Sequence, residues 1–87
     1  MPFDLVWTDQ ARKNLGKLEQ GTAKRIFGKV NWANENNLLF LEKVASLPLM
    51  KYRVGAYRVF FEKGPENSLF AMTVRHRSKA YERVRGK

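Results

Sequence analysis

Lys51-Tyr52-Arg53-Val54-Gly55-Ala56-Tyr57-Arg58-Val59-Phe60-Phe61 alternates cationic and large apolar side chains on both sides of a glycine. In a strand, successive side chains point to opposite faces. Tyr52 and Val54 therefore share one face, and Lys51 and Arg53 the other. Beyond the glycine, Tyr57, Val59 and Phe61 form one set, and Arg58, Phe60 and Glu62 form the other. Gly55 can supply the positive φ of a tight turn, so the stretch predicts a hairpin of two antiparallel strands, Leu49 to Val54 and Ala56 to Lys63.

Gly64-Pro65-Glu66-Asn67 is a second turn, rich in residues that break regular structure. Ser68 to His76 follows as a third strand, which makes a meander. A constant phase places Phe70, Met72 and Val74 with Met50, Tyr52, Val54, Tyr57, Val59 and Phe61 in the core. The opposite face then holds Leu49, Lys51, Arg53, Arg58, Phe60, Glu62, Ala71, Thr73 and Arg75. Its charged members are mostly basic. Antiparallel sheets often keep one wet face, so these cations can be simple solubilising groups or a surface for a polyanion.

N-terminal to the hairpin, Leu38-Leu39-Phe40-Leu41 reads equally as a helical turn or a packed loop. Ile26, Phe27, Val30 and Ala33 form the apolar stripe of a helix capped by Thr22 after Gly21, with Asn34, Asn36 and Asn37 at a frayed end. Ala11, Leu15 and Leu18 form the stripe of a shorter helix, with Thr8 as N-cap and Asp9 in its first turn. Phe3, Leu5 and Trp7 alternate as a first strand. The short connection between the helices predicts a helical hairpin. The expected order is β-α-α-β-β-β: an α+β domain with the helices on one face of a small, mainly antiparallel sheet. One domain spans residues 1–87, with a basic tail from residue 76.

The chain has 87 residues, 17 Lys and Arg against 8 Asp and Glu, and a net charge of +9. Such a charge points to nucleic acid, an anionic membrane surface or an acidic protein as partner. Cysteine is absent and histidine occurs once, which argues against disulfides and a metal centre. No apolar run reaches the roughly 18 residues of a membrane span. Met1-Pro2-Phe3-Asp4 lacks the basic and apolar regions of a signal peptide, so the expectation is a cytoplasmic protein without membrane association.

The words Tyr52-Arg-Val-Gly-Ala-Tyr-Arg-Val-Phe-Phe-Glu62 and Arg75-His-Arg-Ser-Lys-Ala-Tyr81, in that order of elements, resemble the RelE/ParE toxin superfamily, and specifically its RelE branch. The likeness runs over essentially the whole chain. It implies the toxin of a type II toxin–antitoxin system that cleaves mRNA in the ribosomal A site without a cofactor. It also implies an acidic, RelB-like antitoxin that wraps the toxin in a hetero-oligomer. By the same resemblance, Lys51, Arg58, Arg75 and Tyr81 fall at catalytic positions, and Arg53 at a frequently basic one. A further lysine of some members falls at Leu49, which has no acid–base chemistry. His76 looks like a histidine used in other branches, so the general base is either Lys51 or His76.

RNA is cut without metal when its own 2′-hydroxyl attacks the adjacent phosphate. A base must take the 2′ proton, cations must hold the charge of the pentavalent phosphate, and an acid must protonate the leaving 5′ oxygen. Arg58 and Arg75 suit the second task because guanidinium matches phosphate oxygens in a planar fork. Lys51, crowded by Arg53 and Arg58, is drawn towards base duty, while strand phase sets His76 with Val74, away from Arg75. Arg75 or a neighbouring cation is the expected acid. Tyr81 can stack on a splayed base or pack on the sheet. Arg77, Lys79, Arg83, Arg85 and Lys87 suit RNA phosphates. Two other readings share the fold: a ParE-like toxin that inhibits DNA gyrase and cuts nothing, and a noncatalytic RNA- or ribosome-binding protein.

Overall fold

The computed structural model describes residues 2–79. Strand β1 (Asp4–Trp7) is followed by helices α1 (Asp9–Gly16) and α2 (Gln20–Glu35), then by β2 (Glu42–Lys43), β3 (Met50–Val54), β4 (Tyr57–Lys63), β5 (Ser68–His76) and a short 3₁₀ turn at Arg77–Lys79. The five strands form one sheet in the order β1-β5-β4-β3-β2. β1 runs parallel to β5 and every other pair is antiparallel. The result is the expected α+β fold with one strand more than predicted. β2 is only two residues long and both are charged, so no hydrophobic alternation announces it. The 38–41 run is a loop that buries Leu39 and leaves Phe40 exposed.

The hairpin forms as its sequence dictates. Gly55 has φ of +59°, at the first central position of a two-residue connection, where a type II′ turn requires a glycine. A Cβ there would meet only Arg25 Nη2 at 3.5 Å, so backbone conformation rather than space selects glycine. The helix-facing side of the sheet packs Trp7, Val54, Val59, Phe61, Leu69, Ala71 and Val74 against Ala11, Leu15, Ile26, Val30 and Ala33. Fully burying a side chain such as Ile26, Val59 or Phe61 contributes about 1.5–3 kcal/mol.

Three expectations are corrected. In β5, Leu69 and Ala71 occupy the core in place of Phe70 and Met72. Phe60 pairs with Thr73 and Phe61 with Ala71, so Met72 is an extra residue in β5. This bulge switches the inward set from odd to even positions, and a constant phase misassigns the first half of the strand. Second, α2 begins at Gln20 with Glu19 at the N-cap; Thr22 lies inside the helix and its hydroxyl donates to Glu19 Oε1 at 3.4 Å. Third, Phe27 leaves the predicted stripe, being 45% exposed, although its ring lies 5.0 Å from that of Trp7.

The end of α2 is closed rather than frayed. Asn37 sits at φ +58°, its N–H donates to Asn34 O, and the Leu38 N–H donates to Ala33 O at 2.7 Å. This pair of bonds is a Schellman cap with asparagine in the left-handed position. Asn34, 7% exposed, accepts from Phe3 N–H and donates to Phe3 O, both at 2.9 Å. It thereby completes the outer edge of β1 as another strand would. Thr8 caps α1 by accepting from Ala11 N–H, and its own hydroxyl donates to Ala71 O at 2.7 Å, which ties α1 to β5.

Asn34→Leu keeps the volume but orphans two backbone groups of Phe3 in a nearly closed site. We expect a loss of about 2–4 kcal/mol, read from chemical denaturation. An unchanged denaturation midpoint would show that the edge of β1 does not depend on this side chain.

Candidate RNA-binding and cleavage face

Arg53 lies directly across from Arg58, and Arg58 directly across from Arg75. The three arginines therefore form a lateral row over three neighbouring strands, on the sheet face away from the helices. Strands are about 4.8 Å apart, so the row is about 10 Å wide at its stems. One step along, Lys51, Phe60 and Thr73 form the next row. The bulge makes this possible. With Leu69 and Ala71 inward, an unbroken β5 would turn Arg75 towards the helices; the extra residue turns it out beside Arg58.

The face is open only in part. Phe60 is fully buried, because the 44–49 connection folds over it and supplies Val44, Leu47 and Leu49 as a second small apolar cluster. The connection is shaped by Val44 N–H donating to Leu49 O, Leu47 N–H donating to Val44 O, and Ser46 at φ +67°. Of the arginine row, Arg53 is exposed and Arg58 and Arg75 are half-buried.

Arg58 is held in place by neutral groups. Its Nη1 donates to Tyr57 O at 3.3 Å and to Gly55 O at 3.5 Å. Carbonyls orient the guanidinium without cancelling its charge. Arg75 Nε is buried and has no hydrogen-bond partner. A buried donor without an acceptor is costly.

Lys51, Arg53, Arg58 and Arg75 are thus brought together. His76 is not among them. It pairs with Tyr57 on the helix-facing side, the two rings meeting edge-on at 5.2 Å. Its Nδ1 accepts from Ser78 N–H at 3.2 Å and lies 2.9 Å from Ser78 Oγ. Arg77 and Lys79 stand exposed on the turn after β5, anchored by Arg77 N–H donating to Ala56 O at 2.7 Å. Tyr81, Arg83, Arg85 and Lys87 lie outside the described residues. The sequence reading missed Glu42, which faces Lys51 across the β2–β3 pair. Its position follows from β2, and a two-residue polar strand leaves no periodic signal; the nearby Ser46-Leu47-Pro48 turn was the only hint.

The chain superposes on the toxin–antitoxin complex RelBE2 from Mycobacterium tuberculosis with a TM-score of 0.73 at 20% identity, covering 88% of this chain and 100% of that one. The RelB–RelE antitoxin–toxin complex from Methanococcus jannaschii gives 0.70 at 20% identity, over 90% and 96% of the two chains. A free mutant of E. coli toxin RelE gives 0.69 at 21% identity, over 94% and 90%. No curated protein matches the chain. The architecture is that of RelE toxins. Residues 5–81 match the ParE toxin family of type II toxin–antitoxin systems, parDE, and the chain belongs to that family within the RelE/ParE superfamily.

Like charges directly opposite each other on a sheet are destabilising. Replacing Arg58 by glutamine should therefore leave the fold intact and raise its denaturation midpoint at low ionic strength. The gain should be about 0.5 kcal/mol and should fade by roughly 0.5 M salt. A midpoint that falls, with no dependence on salt, would mean that the two carbonyl bonds outweigh the repulsion.

Proposed function

We propose that this toxin is an endoribonuclease that cuts mRNA in the ribosomal A site by attack of the 2′-hydroxyl on its own phosphodiester. The observation that carries this reading is the row Arg53–Arg58–Arg75, with Lys51 one strand step away on the same face. The row has the width and donor geometry to grip a phosphate and to stabilise the additional negative charge of a pentavalent intermediate. Arg58 and Arg75 hold the non-bridging oxygens. The 2′ proton passes to Lys51 or to the Glu42 carboxylate opposite it. A cation of the row, Arg75 in the first place, supports protonation of the departing 5′ oxygen. The bond from phosphorus to the 5′ oxygen breaks as the bond to the 2′ oxygen forms, so the products are a 2′,3′-cyclic phosphate and a 5′-hydroxyl. His76, on the other side of the sheet, takes no part in the proton transfer; Tyr81 remains a candidate for stacking on a base.

The partner in this reading is an acidic, RelB-like antitoxin in a hetero-oligomer. The superposable structures include toxin–antitoxin complexes, and a net charge of +9 favours an acidic chain. Among the described residues no helix is long and apolar enough to cross a membrane, which fits action in the cytoplasm on the ribosome. One observation favours a second reading: the matching family carries the ParE name. On that reading the same basic face contacts DNA gyrase and cuts nothing.

Arg58→Ala and Arg75→Ala should each lower mRNA cleavage on translating ribosomes about 10²–10³-fold and abolish growth arrest. Primer extension locates the cuts, and the 5′-hydroxyl ends should accept phosphate from a polynucleotide kinase without prior dephosphorylation. Full cleavage in both variants rejects the site. Growth arrest without cleavage, together with inhibited DNA supercoiling by purified gyrase, selects the second reading. The pH–rate profiles of Lys51→Met and Glu42→Gln separate the two candidate bases, since removing the true base abolishes the rise of rate with pH.

A further inference from the structure

A cleft of about 420 Å³ lies between α1 and the end of β5, and Arg75, the last member of the arginine row, is among the residues that line it. Apart from Arg75, the residues that line it take no part in the proposed cleavage chemistry. Its walls include Asn14 and Lys17 from α1 and its C-cap, His76 from β5 and Lys79 from the turn beyond. Leu18 and Val74 supply its apolar portion. Among the described residues no carboxylate lines it.

Apart from Gln10, whose amide can both donate and accept, the polar side chains of the lining offer donors. Asn14 Oδ1 already accepts from Val74 N–H at 2.9 Å, so the group Asn14 has left to offer is its NH₂. His76 Nδ1 already accepts from Ser78 N–H, so the neutral ring carries its proton on Nε2. Lys17 and Lys79 are exposed and can only donate. Donors from three elements beside an apolar patch match an anionic group attached to an apolar or aromatic body. A nucleotide has that composition.

We propose that this cleft holds one nucleotide of the RNA strand flanking the cut, with its phosphate on Lys17 and Lys79 and its sugar or base against Leu18 and Val74. The inference rests on the nuclease reading, because only then does a strand lie on the neighbouring face. Arg75 belongs to the row and also lines the cleft, beside His76. Row and cleft are therefore joined at the end of β5, and a strand held on the row continues there into the cleft.

The test uses the full chain and a short 2′-O-methylated RNA oligonucleotide, which has no attacking hydroxyl. Titration followed by amide NMR should shift Asn14, Lys17, Leu18 and His76 as well as Arg53, Arg58 and Arg75. The double variant Lys17→Gln, Lys79→Gln should keep a folded spectrum. It should weaken binding by on the order of tenfold at 0.1 M salt, and it should flatten the plot of log K against log salt by about 0.7, the share of one phosphate. If only the row residues shift and the double variant binds as tightly as the parent, the cleft is not an RNA site and the nuclease reading stands. If the oligonucleotide binds nowhere, the cleft proposal falls, and cleavage on translating ribosomes alone decides the nuclease reading. If an acidic peptide shifts the cleft residues and RNA does not, the cleft is a protein-docking site and the proposal is overturned.

Discussion

A single extra residue in β5 reconciles two demands that a regular strand cannot meet together. The first half of β5 must send Leu69 and Ala71 towards the helices, because β1 lies beside it and Leu5 and Trp7 pair with those positions. The second half must send Val74 inward against Val59 and turn Arg75 out beside Arg58. Strict alternation satisfies one half and inverts the other. The bulge at Met72 resets the phase between them at the cost of one irregular ladder step. The core on one face and the arginine row on the other both depend on it.

The row itself is unfavourable to folding. Three guanidinium groups aligned across neighbouring strands repel one another, and nothing in the backbone ladder relieves them. They stay aligned because the register is set elsewhere: by the Gly55 turn, by burial of Val54, Val59, Phe61 and Val74, and by the small cluster round Phe60. Carbonyl groups of Gly55 and Tyr57 steer Arg58 while leaving its charge intact. Positive charge is thereby concentrated at one end of the sheet face.

The N-terminal third acts as a brace for that scaffold. Thr8 caps α1 and bonds β5, Asn14 bonds Val74 N–H, and Asn34 closes the edge of β1. Thr8 and Asn14 hold α1 to β5, the strand that carries Arg75, and Asn34 holds α2 to the N-terminal edge of the sheet at Phe3. Superposition on RelE toxins at about 20% identity is consistent with this division of labour. A fold of this sort needs its periodic apolar positions and a few brackets, and most other positions can vary.

Local sequence determined the hairpin, the Thr8 cap, the helical stripes and the outward side of Lys51, Arg53 and Arg58, since each follows from alternation, helical period or a glycine within a few residues. It also brought Arg75 to the correct face, though through a constant phase that put Phe70 and Met72 where Leu69 and Ala71 belong. Tertiary structure alone decided the rest. The bulge exists because β5 touches β1 on one side and β4 on the other, which no window of the chain contains. β2, and with it Glu42 opposite Lys51, forms because β3 offers an edge. Asn34 is buried because Phe3, thirty-one positions away in sequence, needs partners for its backbone. The cleft that His76 and Arg75 line arises where α1 meets the end of β5, whereas strand phase by itself already set His76 on the face away from the row. Periodicity reports which way a side chain points within its own element; which elements meet, and where a ladder must slip to let them, is settled only when the layers close on one another.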